Sequence, residues 1–331
     1  MSNLLQISSA ALISIVTLTG AAMPARSEDP PPLQLEAKIL LGDVRGRIDH
    51  MAVDLRRQRL FVAELGNDSV GVVDLANRNL LRTLSGLNEP QGVGYDPSTD
   101  TLFVANARDG SVNMFDGNEY KPTGKIELGS DADNIRIDAA ASRAVVGYGN
   151  GALGFVDLAT RNKIQDAPLK AHPESFQIDQ DRIFVNLPDA HSMTVVDAKS
   201  GKQIANWPMA KGGNFAMAVD RNRSRLLVAF RGPPELAVFD MTDGKPLAAT
   251  ETCGDVDDLF VDSKRDRVYV SCGAGNLDIF DSSGAYKRIA RVPTATGART
   301  SLFVPEMDRL LVAVRAGPAG PAAIWVFKPT P

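Results

Sequence analysis

Seven short segments recur along this chain at intervals of 41 to 43 residues. Six are alternating apolar runs that end in Asp: His50-Met-Ala-Val-Asp54, Gly92-Val-Gly-Tyr-Asp96, Asn134-Ile-Arg-Ile-Asp138, Ser175-Phe-Gln-Ile-Asp179, Ala216-Met-Ala-Val-Asp220 and Asp258-Leu-Phe-Val-Asp262. Ser301-Leu-Phe-Val-Pro305 closes the series. A sustained period of this length confines a chain to architectures in which each unit buries its apolar faces against the next, since one unit is too small to hold a core alone.

Each segment is followed by a second apolar run, such as Leu60-Phe-Val-Ala63, Leu102-Phe-Val-Ala105, Ile183-Phe-Val-Asn186, Leu226-Leu-Val-Ala229, Val268-Tyr-Val-Ser271 and Leu310-Leu-Val-Ala313. A third run ends in another Asp, as in Val70-Gly-Val-Val-Asp74, Leu153-Gly-Phe-Val-Asp157 and Leu277-Asp-Ile-Phe-Asp281, and a weaker fourth follows, for example Leu80 to Leu84. Short alternating runs bounded by Gly, Asn, Asp and Pro read as strands, and no stretch holds a helical period. Four strands in a repeat of about 40 to 45 residues mark a β-propeller blade. The expected fold is therefore all-β, a seven-bladed β-propeller of four-stranded antiparallel blades. Its seventh unit stops after a third strand, Ala323 to Phe327, while an unassigned strand, Leu33 to Leu41, stands near the amino end. The N-terminal strand is expected to complete blade seven, closing the ring and removing its free edges.

The runs Leu60 to Asp74 and Leu102 to Asp116 closely resemble the YVTN-type repeat of secreted bacterial proteins, and the resemblance extends over all seven units. It implies a seven-bladed extracytoplasmic propeller in a family with no common enzymatic activity. A fold of this kind does not name a function.

Residues 1–27 read as a cleaved signal peptide, with an apolar run from Ala10 to Met23 and a small-x-small pattern at Ala25-Arg26-Ser27. That run of 14 residues is shorter than the roughly 17 to 25 needed to span a bilayer, and no membrane span is expected. A Pro-rich linker, residues 28–32, leads into the propeller, residues 33–331, and the location implied is periplasmic or secreted. Formal charge is 36 − 40 = −4, which disfavours nucleic acid as a partner. A monomer is expected. The two cysteines, Cys253 and Cys272, form neither CxxC nor CxxCH. Register puts them at one end of blade six, where a disulfide would brace the loop carrying Asp255, Asp257 and Asp258; two inert buried thiols are the alternative. Gly149-Asn-Gly-Ala-Leu-Gly154 matches GxGxxG but lies between two strands, so it reads as a hairpin.

In a propeller, the loops entering the first strand and joining the second to the third surround one mouth of the central channel, the default binding surface. The equivalent position of each unit there is Asp49, Gln91, Asp133, Glu174, Phe215, Asp257 and Thr300. With His50, Asn134 and Asp258 one residue further in, oxygen ligands concentrate around one axis. They could hold a Ca²⁺-like hard cation or a cationic small molecule. Candidate metal ligands are Asp49, Asp133, Glu174 and Asp257, with a second grouping of His172, Glu174, Asp189 and His191 in blade four. The alternative is a hydrated mouth whose carboxylates pair with Arg45, Arg47, Arg136 or Arg299. Arginines also collect where blades seven and one meet (Arg45, Arg47, Arg299 and Arg315), where a small anion or acidic surface could dock.

Two functions are open to such a chain. The first is a binding or scaffold module that presents its loop face to a protein or small ligand, with no catalytic residues. The second is a Ca²⁺-dependent lactonase or esterase-like hydrolase, similar in architecture to propeller lactonases of the gluconolactonase and paraoxonase kind, with the metal in the central channel and His50 as general base. The gluconolactonase type has six blades where this chain counts seven, which favours the non-enzymatic reading.

Overall fold

The computed structural model describes Met1 and residues 30–331, and the propeller unit runs from Pro31 to Pro331. The expected leader falls, Met1 apart, outside the described residues. Seven four-stranded antiparallel sheets make up the unit. Blade one consists of Met51–Asp54, Arg59–Glu64, Ser69–Asp74 and Asn79–Ser85. Blades two to six begin at the inner strands Pro90–Asp96, Ile135–Asp138, Phe176–Asp179, Asn214–Asp220 and Val256–Asp262. Blade seven takes Ser301–Val304, Arg309–Val314 and Ala323–Pro329 from the carboxyl end and Leu33–Leu40 from the amino end as its outermost strand. Every inner strand lies beside the next, and blade seven's lies beside blade one's, so the ring is closed. Among the described residues the only helical turns are four of the 3-10 type, three residues each.

The second strands read as unbroken apolar runs because the pleat sends successive side chains to opposite faces. Leu60 and Val62 enter the core between blades seven and one, whereas Phe61 and Ala63 enter the core between blades one and two. The same division repeats around the ring, with Phe103 between blades two and three and Phe184 between blades four and five. Both faces of each middle strand are thus buried, and the apolar core consists of seven wedges between neighbouring blades. Blades two and three approach so closely that a Cβ on Gly92 would run into the Asp133 carbonyl.

The repeated Asp residues are turn-formers. Asp54 Oδ1 accepts the backbone N–H groups of Arg56 and Arg57 at 3.0 and 3.2 Å, and Asp96 does the same for Ser98 and Thr99. At the ends of the third strands, Asp74, Asp157 and Asp197 each accept the N–H three residues on. A side chain capping its own turn in this way explains why Asp recurs at these positions. Three of these turns also clamp the next blade. Arg57 bonds Asp54 at 2.7 Å and reaches Asp100 at 2.6 Å, Arg223 bonds Asp220 and Asp266, and Arg265 bonds Asp262 and grips Asp308 with two bonds of 2.7 Å.

Cys253 and Cys272 are disulfide-bonded, joining the loop before blade six's inner strand to the end of its second strand. Gly149 to Gly151 form the turn between Arg143–Tyr148 and Ala152–Asp157, a hairpin as expected. No helix among the described residues is long and apolar enough to cross a membrane.

Candidate functional site

The inner strands all run from the same face, so the residues at their starts and just before them converge. Asp49, Gln91, Asp133, Glu174, Phe215 and Asp257, six of the seven register-equivalent positions, line a single cavity of about 220 Å³ at the channel mouth. Arg47, His50, Asp131, Asn134, His172, Ser175, Arg231 and Arg299 complete its wall. The seventh position, Thr300, points instead into the rim, where its hydroxyl donates to the Ile48 carbonyl at 3.3 Å.

Hydrogen bonds lace the rim from blade to blade. The His50 N–H donates to Gln91 O at 3.2 Å, Asn134 Nδ2 to Glu174 O at 2.5 Å and Ser175 Oγ to Phe215 O. Arg231 Nε donates to Val256 O at 2.7 Å, and the Ser301 N–H donates to Asp258 Oδ2 at 2.8 Å. With Thr300 on Ile48 these bonds join nearly every neighbouring pair of blades, so the cavity wall is held by backbone-anchored contacts rather than by free loops.

The wall divides by charge. On the side of blades five, six, seven and one, each arginine already has a carboxylate: Arg47 pairs with Asp49 at 2.7 Å, Arg231 with Asp257, and Arg299 with Asp255 at 2.8 Å and Asp257 at 3.0 Å. Arg231 also lies 3.5 Å from the centroid of the Phe215 ring, which offers its π face to the guanidinium. On the side of blades two to four, Asp131, Asp133 and Glu174 face the imidazole of His172, which donates Nδ1–H to Gly149 O at 2.7 Å. His50 sits between the two sides, its Nε2 3.8 Å from both Asp49 Oδ1 and Asp133 Oδ1. That separation is too wide for a hydrogen bond.

Burial governs the titration of these groups. It pushes the Asp49, Asp133 and Asp257 carboxyls above the usual range and Glu174 up to about 7, with the Asp133 charge adding to the effect on Glu174. It pulls His50 down, so that imidazole is neutral near pH 7. Burial would also lower His172, but Asp133, the Gly149 carbonyl and Asp131 outweigh it and hold the imidazolium up to about 9.

Some sequence-predicted residues lie elsewhere. Asp258 turns away from the mouth into a second cavity of about 370 Å³ further down the channel, together with Arg136, Gln177 and one side of His50. Burial there raises Asp258 to about 8 and lowers Arg136. Asp189 and His191 are exposed and do not join His172 and Glu174; His191 packs over Gly212 of the following loop. Arg45 pairs through its backbone with Asn67, and Arg315 lies over Gly297, so of the four arginines near the blade seven–one junction only Arg47 and Arg299 reach the cavity.

Two of the expected metal ligands, Asp49 and Asp257, are engaged by arginines, and no three His, Cys, Asp or Glu side chains among the described residues are arranged around a common point that could hold a metal ion.

Arg231 and Asp131 are cavity residues that sequence reasoning did not single out. Arg231 ends the blade-five second strand, next to a loop of the type already assigned to this face, but nothing in the spacing shows that its side chain turns inward.

Fold and site together define a closed seven-bladed β-propeller with a polar pit at one mouth of its channel. No protein-family model matches the chain, and no curated protein matches it. Among solved structures, a chain of Kuenenia stuttgartiensis hydrazine synthase is similar at a TM-score of 0.69 over 83% of this chain and 93% of that one. The two are 16% identical, a likeness of fold alone.

Proposed function

We propose that this protein is a periplasmic or secreted binding module that receives a small polar ligand, or the polar side chain of a partner protein, in the mouth of its channel. The observation that carries the reading is the convergence of six register-equivalent residues on one walled cavity of about 220 Å³. A packed structural channel would fill such a space with apolar side chains, whereas this one buries four acidic groups and two imidazoles there, which costs stability and is the pattern of a functional site. The volume is below the roughly 300 to 1,000 Å³ of pockets for drug-sized molecules, so the occupant is small. The repeats that resemble the YVTN type, the disulfide and the expected leader agree with an oxidising compartment outside the cytoplasm.

Thermal-shift measurements with small cationic, anionic and neutral polar compounds test the reading. Stabilisation by at least one class, abolished by Asp133→Asn in the mouth and retained by Arg57→Gln on the opposite face, is the expected result. Shifts that respond equally to both substitutions would remove the mouth as the binding site.

A further inference from the structure

Two polar atoms on the blade-three wall lack partners. Asp133 Oδ1 and Asn134 Oδ1 are buried and accept no hydrogen bond, although their residues are only 7% and 2% exposed and both line the mouth cavity. The Asn134 amide cannot be turned round to relieve this, because its Nδ2 is committed to the Glu174 carbonyl. An unmet acceptor in a buried position costs the full desolvation of that group, so a donor from outside would be favoured there. Nearby, the Glu174 carboxylate accepts no hydrogen bond from the described residues, and Asp133 Oδ1 and Asp49 Oδ1 stand the same 3.8 Å from His50 Nε2, leaving a gap that a donor could bridge.

Charge points the same way. The three arginines of the cavity are each neutralised by Asp49, Asp255 or Asp257, while three carboxyls, Asp131, Asp133 and Glu174, share one imidazolium, His172. The wall lacks donors and positive charge, not acceptors. An anion would have to displace a buried carboxylate from its arginine, but a cation displaces nothing.

We infer that the mouth binds a small organic ammonium ion, with its N–H groups directed at Asp133 Oδ1, Asn134 Oδ1 and the Glu174 carboxylate. The inference rests on the proposed binding role of the mouth and names the ligand class. Charge-assisted bonds to carboxylate are about twice as strong as neutral ones, so an amine is held more tightly than the alcohol of the same shape.

The test uses n-butylammonium, n-butanol and butyrate, titrated into the purified protein by calorimetry and by ligand-observed NMR. Butylammonium is expected to bind at least tenfold more tightly than butanol, with butyrate weakest. Asp133→Asn and Asn134→Leu should each weaken butylammonium binding at least tenfold, with circular dichroism and melting confirming that both variants fold. Should one variant fail to fold, the other carries the comparison. Butyrate binding that depends on Asp257 and Arg299 would overturn the ammonium assignment while leaving the mouth as a binding site. Butylammonium binding indifferent to every mouth substitution would overturn both, and a flat butylammonium titration up to the solubility limit would overturn the assignment alone.

Discussion

Glu174 is where the chemistry of the mouth becomes sensitive to pH. Its folded-state pKa of about 7, raised mainly by burial and further by Asp133, leaves it largely neutral at pH 6 and largely ionised at pH 8. Affinity for butylammonium should therefore rise between those values. In Glu174→Gln the rise should flatten, and an unchanged slope in that variant would show that another group controls it. Arg231 matters for a different reason. It covers Phe215, ties blade five to the Val256 carbonyl and neutralises Asp257. Arg231→Leu leaves Arg299 as the remaining cation of Asp257 and removes the bond to the Val256 carbonyl, a change expected to cost about 1 to 3 kcal/mol in denaturant unfolding. Uptake of a proton by Asp257 would reduce the loss at low pH, so the deficit should be larger at pH 8 than at pH 5. Sequence spacing located Asp49, Asp133, Glu174 and Asp257 on one rim because they stand at the same distance from the ends of equivalent inner strands. It could not separate Asp257 from Asp258. That depends on a bulge between Val256 and Asp258, after which Asp258 faces down the channel toward Arg136.

At the level of the blade, two devices hold neighbours together. The arginine clamps occupy the same place in blades one, five and six, spanning from a strand-ending Asp to an Asp of the next blade's first turn. Arg57→Ala strands the buried Asp54 without its cation and loses the bond to Asp100. About 1 to 3 kcal/mol is expected, from the worth of hydrogen bonds to charged groups, with little effect on the mouth. Equal stability of the variant by urea unfolding would reduce the clamp to a surface contact. The disulfide acts on the blade-six loop that carries Asp255, the partner of Arg299. Replacing both cysteines by Ala should lower stability by about 2 to 4 kcal/mol. It should also weaken mouth binding, because Asp255 and Asp257 lose the constraint on their loop. Unchanged ligand affinity would confine the bridge to a stabilising role. Strand identity was readable because apolar residues alternate over each run. Pairing of the two cysteines was readable because register brings both to one end of one blade, whereas the separation of His191 from His172 was not, since a 3-10 turn at Pro188–Ala190 places His191 outside the cavity.

For the whole ring, stability without ligand depends on pH through groups whose folded and unfolded pKa values differ. Asp258 at about 8, Glu174 at about 7 and His172 at about 9 all lie above their ordinary values of 3.8, 4.5 and 6.5. Each binds more protons folded than unfolded within its window, so its contribution is complete below the unfolded value and disappears as pH rises through the folded one. Together they should lower the melting temperature from about pH 5 to 9. Asp308 acts in the opposite sense. Its carboxyl is held down to about 2 by Arg265, and its contribution vanishes as pH falls from 3.8 through that value. A melting temperature that rises from pH 6 to 9 would contradict the burial of these groups in the folded ring. Closure is the other property of the whole. Without Leu33–Leu40, the strand Ala323–Pro329 would present an unpaired edge, and the truncated protein should melt lower and self-associate on size exclusion.

By itself the sequence determined the number of blades, their strands, the Asp residues that end them and the rim on which polar residues gather. All of these come from local periodicity and from residues whose side chains bond their own backbone turns. Only the tertiary structure decided which carboxylates are neutralised, which acceptors stay unmet and which histidines enter the pit. Those outcomes arise where seven distant segments meet, and there burial and the direction of each side chain, not its spacing, set its charge and its partner.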